Sequence, residues 1–239
     1  AAKTLLRSRT TLIGSVMVAR GEADALLTGV VGRFHKKLGY VRSLIELDPG
    51  VQSTSAMTGV INNQGVCFFL DTHVQDEPTA EQIAEATLQA SYRLKLFGIE
   101  PRIALLSHSN FGSHQTPGAL KMRKVRELLL KRVPKLNVDG EMQGDTAWDE
   151  VLREQMMPGS TLKGRANLFV LPNLDAANIA YNMVRVVTEG VAIGPILMGI
   201  SKPVHILTTS ATPRRILNMT AIAAVDAQIR EQREGGKRG

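Results

Sequence analysis

The chain has 239 residues, 44% of them hydrophobic, which is enough for one large α/β domain or two smaller lobes. Lysine and arginine outnumber the acids by 29 to 22, but they are spread along the chain and only 4% of all residues are aromatic, a pattern that favours an anionic small ligand over nucleic acid. A single cysteine, Cys67, excludes an internal disulfide, and no apolar run is long enough to cross a bilayer, so we expect a cytoplasmic protein without a membrane partner.

The first half of the sequence alternates between helical and strand-like patterns. Thr79 and Gln82 have the spacing of a capping box, which predicts a helix that ends before Gly98. The other expected helices cover residues 12–19 and 33–47, and the expected strands cover residues 25–31, 55–61 and 66–70. The turn-forming residues 62–65 predict a hairpin between the last two strands.

The second half continues this alternation more regularly. The expected strands are 102–106, 136–138, 166–171 and 204–207, and the expected helices are 119–133, 146–155, 175–188 and 213 to about 232. Strands that alternate with helices imply parallel crossovers, and therefore an α/β fold with mostly parallel sheets covered by helices. Thr212 and Pro213 are typical of a helix start, yet Arg214 and Arg215 follow, and a cation at this end is unfavourable by about 0.3–1 kcal/mol.

Four loops follow the predicted parallel strands, where α/β proteins bind their ligands. They cover residues 107–113, 139–145, 172–175 and 208–210. Their hydroxyl, amide and N–H groups suit phosphate or carbonyl oxygens, although any one loop could simply form turns and helix caps. His108 and His114 share the first loop without the spacing of metal ligands, so we expect no metal site.

Several of these segments, taken in order, carry a resemblance to a known family. The segments A-L-L-S-H-S-N-F-G-S, V-D-G-E-M-Q-G-D-T-A, A-N-L-F-V-L-P-N-L-D-A-A-N-I-A-Y and A-I-G-P-I-L-M-G-I-S-K-P-V resemble the phosphate acetyl/butyryl transferase family, which moves an acyl group between coenzyme A and phosphate. The resemblance implies a two-lobed phosphate acetyltransferase or isocitrate-dehydrogenase-like fold over residues 1–239, without the family's opening section. It also implies a middle lobe at about 30–160, with the remainder returning to the first lobe, and a homo-oligomer, most simply a dimer, formed through this domain.

The resemblance fails at the family's catalytic positions. After the K-P-V strand, members carry Leu-Ser-Arg-Gly and then Glu-Asp, where the aspartate is the base for the thiol. Position by position, Thr208 matches the serine, Thr209 the arginine, and Arg214 and Arg215 the acidic pair. Arginine cannot accept a proton, and loss of a general base alone costs about 10²–10⁴ in rate, so we expect no catalytic residue here.

A degenerate domain of this kind resembles the C-terminal region of large bacterial NADP-dependent malic enzymes. There it binds acetyl-CoA as an allosteric signal, while a separate N-terminal part uses NADP and a divalent metal to decarboxylate malate oxidatively. We therefore expect a regulatory domain for acetyl-CoA or a related CoA ester; an active transferase and a purely structural oligomerisation module are the alternatives. The expected ligand-binding residues are Ser107, Ser109, Asn110, Asn173, Gly194, Pro195, Thr208 and Arg215, with Arg214 as an alternative contact for a coenzyme A phosphate.

Overall fold

The chain divides into two compact units in a computed structural model that describes residues 8–235, with side chains up to residue 232. The middle unit is Ser55–Ala192, and the outer unit contains the described residues up to Thr54 and from Ile193 onward. The middle unit thus begins and ends later than the expected 30–160. Packing explains both differences: the helix Phe34–Arg42 contacts the strand Val204–Leu207 of the outer unit, and the helix Leu174–Val187 contacts the strands Ser55–Asn62 and Gly65–Leu70 of the middle unit.

The elements follow the expected alternation of strands and helices. In chain order the described residues include α1 (Thr10–Ala19), β1 (Leu26–Gly29), α2 (Phe34–Arg42), β2 (Ser55–Asn62), β3 (Gly65–Leu70), α3 (Ala80–Leu96), β4 (Ile103–Leu106), α4 (Pro117–Arg132), β5 (Val138–Met142), α5 (Gly144–Trp148), α6 (Glu150–Met156), β6 (Leu168–Val170), α7 (Leu174–Val187), β7 (Val191–Met198), β8 (Val204–Leu207) and α8 (Pro213–Gly235).

The middle unit is built on a sheet with the strand order β5-β4-β6-β3-β2-β7. Of strand β7, the first two residues belong to this unit, which ends at Ala192. β4 pairs in parallel with β5 and with β6, and β6 pairs in parallel with β3. β2 and β3 form the expected antiparallel hairpin, in register from Met57↔Leu70 to Asn62↔Gly65. The predicted class, α/β with mostly parallel strands, is therefore confirmed.

The core of the middle unit contains a row of stacked rings. The ring centres of Phe69 and Phe169 are 5.4 Å apart, and those of Phe169 and Trp148 are 5.3 Å apart. At the end of the row, the Arg165 guanidinium lies 4.1 Å from the centre of the Trp148 ring, at a distance typical of a cation–π contact. The row thus connects buried strand residues to the surface.

The outer unit is organised around two parallel strands, β1 and β8, in register from Leu26↔Val204 to Gly29↔Leu207. Helix α8 contacts both strands, and its start is the one expected: Oγ1 of Thr212 accepts a hydrogen bond from the Arg215 N–H at 3.2 Å. The capping box of α3 is also confirmed, with reciprocal hydrogen bonds between Thr79 and Gln82.

Two sequence expectations in the second half are wrong. A strand was expected at 136–138 with a loop at 139–145, but β5 extends through Met142, because the buried acids Asp139 and Glu141 are both paired with arginines. The single helix expected at 146–155 is two helices, since the side chain of Asp149 caps α6 by accepting from the N–H groups of Val151 and Leu152.

Strand β7 was not expected at all. Its sequence contains Gly194 and Pro195, which usually mark a turn.

Among the described residues, no helix combines the length and the apolar character needed to cross a membrane.

Candidate functional site

The parallel strands β3, β4, β5 and β6 end at one edge of the middle unit's sheet, which we call the carboxyl edge. Four segments follow them there, beginning at Asp71, Ser107, Gln143 and Leu171. All four candidate loops were expected at the carboxyl ends of parallel strands, and three of them, at 107–113, 139–145 and 172–175, do lie at or run into this edge. The fourth loop follows β8 in the outer unit.

Glu141 organises the loop that follows β4. Its Oε1 accepts hydrogen bonds from the Ser109 hydroxyl at 2.7 Å and from the Gly112 N–H at 2.9 Å. Its Oε2 accepts from Nε of Arg123 at 2.8 Å, and its backbone carbonyl accepts from the Phe111 N–H. Burial alone would raise the pKa of Glu141, but these donors outweigh it and leave the pKa below its ordinary value, so the carboxylate stays ionised and holds the loop.

The loop brings three of the expected ligand-binding residues together. The Ser109 N–H donates to Oγ of Ser107 at 3.2 Å, and Oδ1 of Asn110 accepts from the Gln143 N–H at 2.8 Å. Ser107 and Asn110 are partly exposed, whereas Ser109 is fully buried. Two of the three side chains are therefore accessible from solvent, and the Ser109 hydroxyl supports the loop through Glu141.

Replacing Ser109 with alanine tests this support. We expect Ser109→Ala to lower the free energy of unfolding by about 1.5–3 kcal/mol, because a buried carboxylate loses one of its donors. Chemical denaturation of the variant and the wild type measures the change. Ser43→Ala is the control, since the Ser43 hydroxyl is exposed and donates to the carbonyl of Tyr40 in the same helical turn; equal losses in both variants would contradict the role of Ser109.

Asn173 lies beyond β6 and caps helix α7. Its Oδ1 accepts from the Ala176 N–H at 3.0 Å, and its Nδ2 donates to Oε1 of Glu77 at 2.9 Å. Next to it, beyond β3, lies Asp71, which the sequence analysis missed although an acid directly after the apolar run V-C-F-F-L was a signal for it. Burial raises the pKa of Asp71 to about 7 against the opposing hydrogen bonds of backbone N–H groups. A buried acid with so displaced a pKa is typical of functional sites.

In the outer unit, the structure joins two further expected residues. Gly194 and Pro195 are buried in β7, and Nε of Arg215 donates to the Gly194 carbonyl at 2.7 Å. The side chain of Arg215 is 6% exposed, while Arg214 beside it is exposed. One of the two cations at the start of α8 is thus turned inward to a carbonyl, which offsets its unfavourable position at the helix start.

The remaining expected positions follow β8. The hydroxyl of Thr208 lies 3.1 Å from that of Ser210, and Thr209 is exposed. A buried pair that the sequence analysis missed lies nearby: Nε2 of His205 is 3.1 Å from Oδ2 of Asp226. The Leu197 N–H donates to Nδ1 of His205, so the ring proton of a neutral His205 lies on Nε2 and points to Asp226.

Within the described range of residues 8–235, no group of three or more histidine, cysteine, aspartate or glutamate side chains could hold a metal ion. The rings of His108 and His114 are 5.0 Å apart, and Nδ1 of His114 lies 3.0 Å from the hydroxyl of Ser113. Cys67 is buried, and burial raises the pKa of its thiol to about 11, which leaves it unreactive at neutral pH.

Comparison with known proteins places this geometry in a family. The phosphate acetyl/butaryl transferase family matches residues 1–224. The NADP-dependent malic enzyme of Escherichia coli is 50% identical over 228 residues, which are 95% of this chain and 30% of that protein. The phosphate acetyltransferase of Nitratidesulfovibrio vulgaris is 34% identical over 91% of this chain and 31% of its own length.

A solved structure agrees with these sequence comparisons. A phosphotransacetylase from Streptococcus pyogenes superimposes with a TM-score of 0.88 and 31% identity, over 95% of this chain and 69% of that one. The chain spans about 30% of the length of the malic enzyme that it matches. The chain belongs to the phosphate acetyl/butaryl transferase family.

Proposed function

We propose that this chain is the acetyl-CoA-binding regulatory domain of an NADP-dependent malic enzyme and has no transferase activity of its own. Identity to the malic enzyme of Escherichia coli is 50%, against 34% to the phosphate acetyltransferase of Nitratidesulfovibrio vulgaris. In this proposal, oxidative decarboxylation of malate, with NADP and a divalent metal, belongs to a separate N-terminal part of the parent protein.

The position of Arg215 carries the proposed loss of activity. By the resemblance described above, this position holds the aspartate that takes the thiol proton in active transferases. Here it holds a guanidinium that is bonded to the Gly194 carbonyl at 2.7 Å and that remains protonated at every ordinary pH. Coenzyme A must lose its thiol proton before it attacks an acyl phosphate, and neither Arg214 nor Arg215 can accept that proton.

Ligand binding needs fewer groups than catalysis does. In the middle unit, the partly exposed side chains of Ser107, Asn110 and Asn173 offer hydroxyl and amide groups for the amide and carbonyl groups of a CoA ester. In the outer unit, Gly194, Pro195 and Thr208 are the corresponding candidates, and Arg215 or the exposed Arg214 is the candidate for a coenzyme A phosphate. The formal charge of +7 suits such an anionic ligand.

Two measurements on the 239-residue chain test the proposal. Calorimetric titration with acetyl-CoA should show saturable binding, and an assay of acetyl-CoA formation from acetyl phosphate and coenzyme A should show no rate above the protein-free control. Circular dichroism on the same sample establishes that the chain is folded. Turnover of acetyl phosphate would favour the active transferase instead, and a folded chain that does not bind acetyl-CoA would favour a structural module.

We also propose that the protein forms a homo-oligomer through helix α7. Four apolar side chains on one face of this helix are 58–80% exposed: Ile179, Met183, Val186 and Val187. Their spacing of four, three and one residues places them along one side of a helix. Soluble monomers rarely expose contiguous apolar patches of this kind, and a second copy of the same face would cover it.

A charge at the centre of this face tests the oligomer. We expect Met183→Asp to convert the oligomer to a monomer, because association would bury an unpaired carboxylate. Size-exclusion chromatography with light scattering measures the mass. Leu120→Asp is the matched control, because Leu120 is 47% exposed on helix α4; an unchanged mass for Met183→Asp would remove α7 from the interface.

A further inference from the structure

One carboxyl oxygen of Asp71, Oδ2, makes no hydrogen bond of normal geometry with a described residue, although the backbone N–H groups of Ala56 and Gln75 lie close enough to lower the pKa of the carboxyl. Its Oδ1 accepts hydrogen bonds from the N–H groups of His73 at 2.9 Å and Val74 at 3.1 Å, which closes a local turn after β3. Its Oδ2 is buried and has no hydrogen-bond partner among the described residues, and the whole residue is only 9% exposed. A buried carboxylate oxygen without a hydrogen-bond partner is strongly unfavourable, so a donor is needed here.

A small cavity at the carboxyl edge supplies the space for such a donor. Its volume is about 10 Å³, which is close to the smallest volume that holds one water molecule. Asp71 and Asn173 bring polar side chains to its wall, together with Gln75; the apolar part of the wall consists of Leu70, Pro78, Ile83, Ala86 and Leu171.

Asn173 can supply the second contact that a buried water needs. Its Oδ1 accepts from the backbone and its Nδ2 donates one hydrogen to Glu77, which leaves the second amide hydrogen for another acceptor. Asp71 and Asn173 follow the adjacent parallel strands β3 and β6, so a molecule between them would connect the ends of both strands.

We propose that this cavity is a binding site for one water molecule, which donates a hydrogen bond to Oδ2 of Asp71 and accepts one from the side-chain amide of Asn173. The water connects Asp71, which is not among the expected ligand-binding residues, to Asn173, which is. Because a water molecule can donate to an ionised carboxylate or accept from a protonated one, it fits both protonation states of Asp71. This proposal does not depend on the proposed binding of acetyl-CoA.

A crystal structure of the wild-type chain at a resolution that shows ordered waters tests the site directly. We expect one density peak within about 2.6–3.2 Å of both Oδ2 of Asp71 and Nδ2 of Asn173. Asp71→Asn should retain the peak, because its amide can still bond to water. An empty cavity in the wild-type structure, or a protein donor on Oδ2, would overturn the proposal.

Filling the cavity from its opposite wall gives an independent test in solution. Ala86 lines the cavity from helix α3, and Ala86→Val would displace the water without touching Asp71. Carbon-13 NMR of the carboxyl group should then show a higher pKa for Asp71, because its ionised form loses a donor. Ala90→Val adds the same volume on the same helix, outside the cavity wall, and should leave that pKa unchanged; an unchanged pKa in Ala86→Val would contradict the water site. Two charged side chains lie near this site: Glu77 accepts a hydrogen bond from Asn173, and Lys121 forms an ion pair with Glu77. Neither side chain is altered in these variants.

Discussion

Replacing Arg153 with leucine is expected to lower the free energy of unfolding by more than about 3 kcal/mol, because four backbone carbonyls in the middle unit would each lose a hydrogen-bond donor. Arg153 lies in helix α6 and is fully buried. Its NH1 donates to the carbonyls of Thr146 and Ala147, and its NH2 donates to those of Leu162 and Gly164, the last at 2.7 Å. One guanidinium thus connects the short helix α5 to the segment before β6.

Two substitutions of Arg153 separate the contribution of its hydrogen bonds to the free energy of unfolding from the contribution of its packing. Arg153→Leu keeps most of the apolar stem, and Arg153→Lys keeps the charge with fewer and less rigidly placed donors, so its loss should be intermediate. Arg132→Leu is the control, because Arg132 is exposed in the last turn of α4. Denaturant unfolding gives the three values, and a loss for Arg153→Leu no greater than that for Arg132→Leu would show that the carbonyls find other donors.

The second large effect is a loss of stability with rising pH that Asp71→Asn removes. An unfolded aspartate ionises near pH 3.9, whereas burial raises the pKa of Asp71 in the folded protein to about 7. Between these values the folded state binds more protons than the unfolded state, so the free energy of unfolding falls as the pH rises. Between pH 5 and pH 8 the fall attributable to this residue is about 2–3 kcal/mol.

The measurement compares wild type and variant at both pH values. Asp71→Asn keeps an oxygen for the N–H groups of His73 and Val74 and cannot ionise, so its stability relative to the wild type should improve by that amount from pH 5 to pH 8. Asp175→Asn, an exposed acid in the first turn of α7, should show no such change. Parallel pH profiles for wild type and Asp71→Asn would mean that Asp71 is ionised across this range.

Local sequence patterns were sufficient for the family and for most of the regular elements, but not for strand β7 or for the division of 146–155 into two helices. The hairpin of β2 and β3, the capping box at Thr79 and the start of α8 at Thr212 all depend on residues close together in the chain. The alternation of strands and helices depends on hydrophobic periodicity, which is local as well. The same is true of the ordered motifs by which the family was recognised, since each is a short run of residues.

The roles of the buried charges required the folded structure. As a sequence, V-D-G-E-M resembles a polar loop. In the fold, Arg123 bonds to Glu141, 18 residues later, and Arg126 bonds to Asp139, 13 residues later. Because both acids are paired, they can lie in a buried strand. Arg215 looked like a misplaced surface cation until the fold brought the Gly194 carbonyl, 21 residues away, to its Nε.

The raised pKa of Asp71 also depends on the folded structure. Its position after an apolar strand is visible in the sequence, but the raised pKa comes from burial, which depends on every element packed around it. Sequence alone therefore determines most of the alternation of strands and helices and the family, and it predicts the positions where catalytic groups are replaced. Whether a charge is paired, buried or exposed depends on residues distant in the chain, and only tertiary packing brings those together.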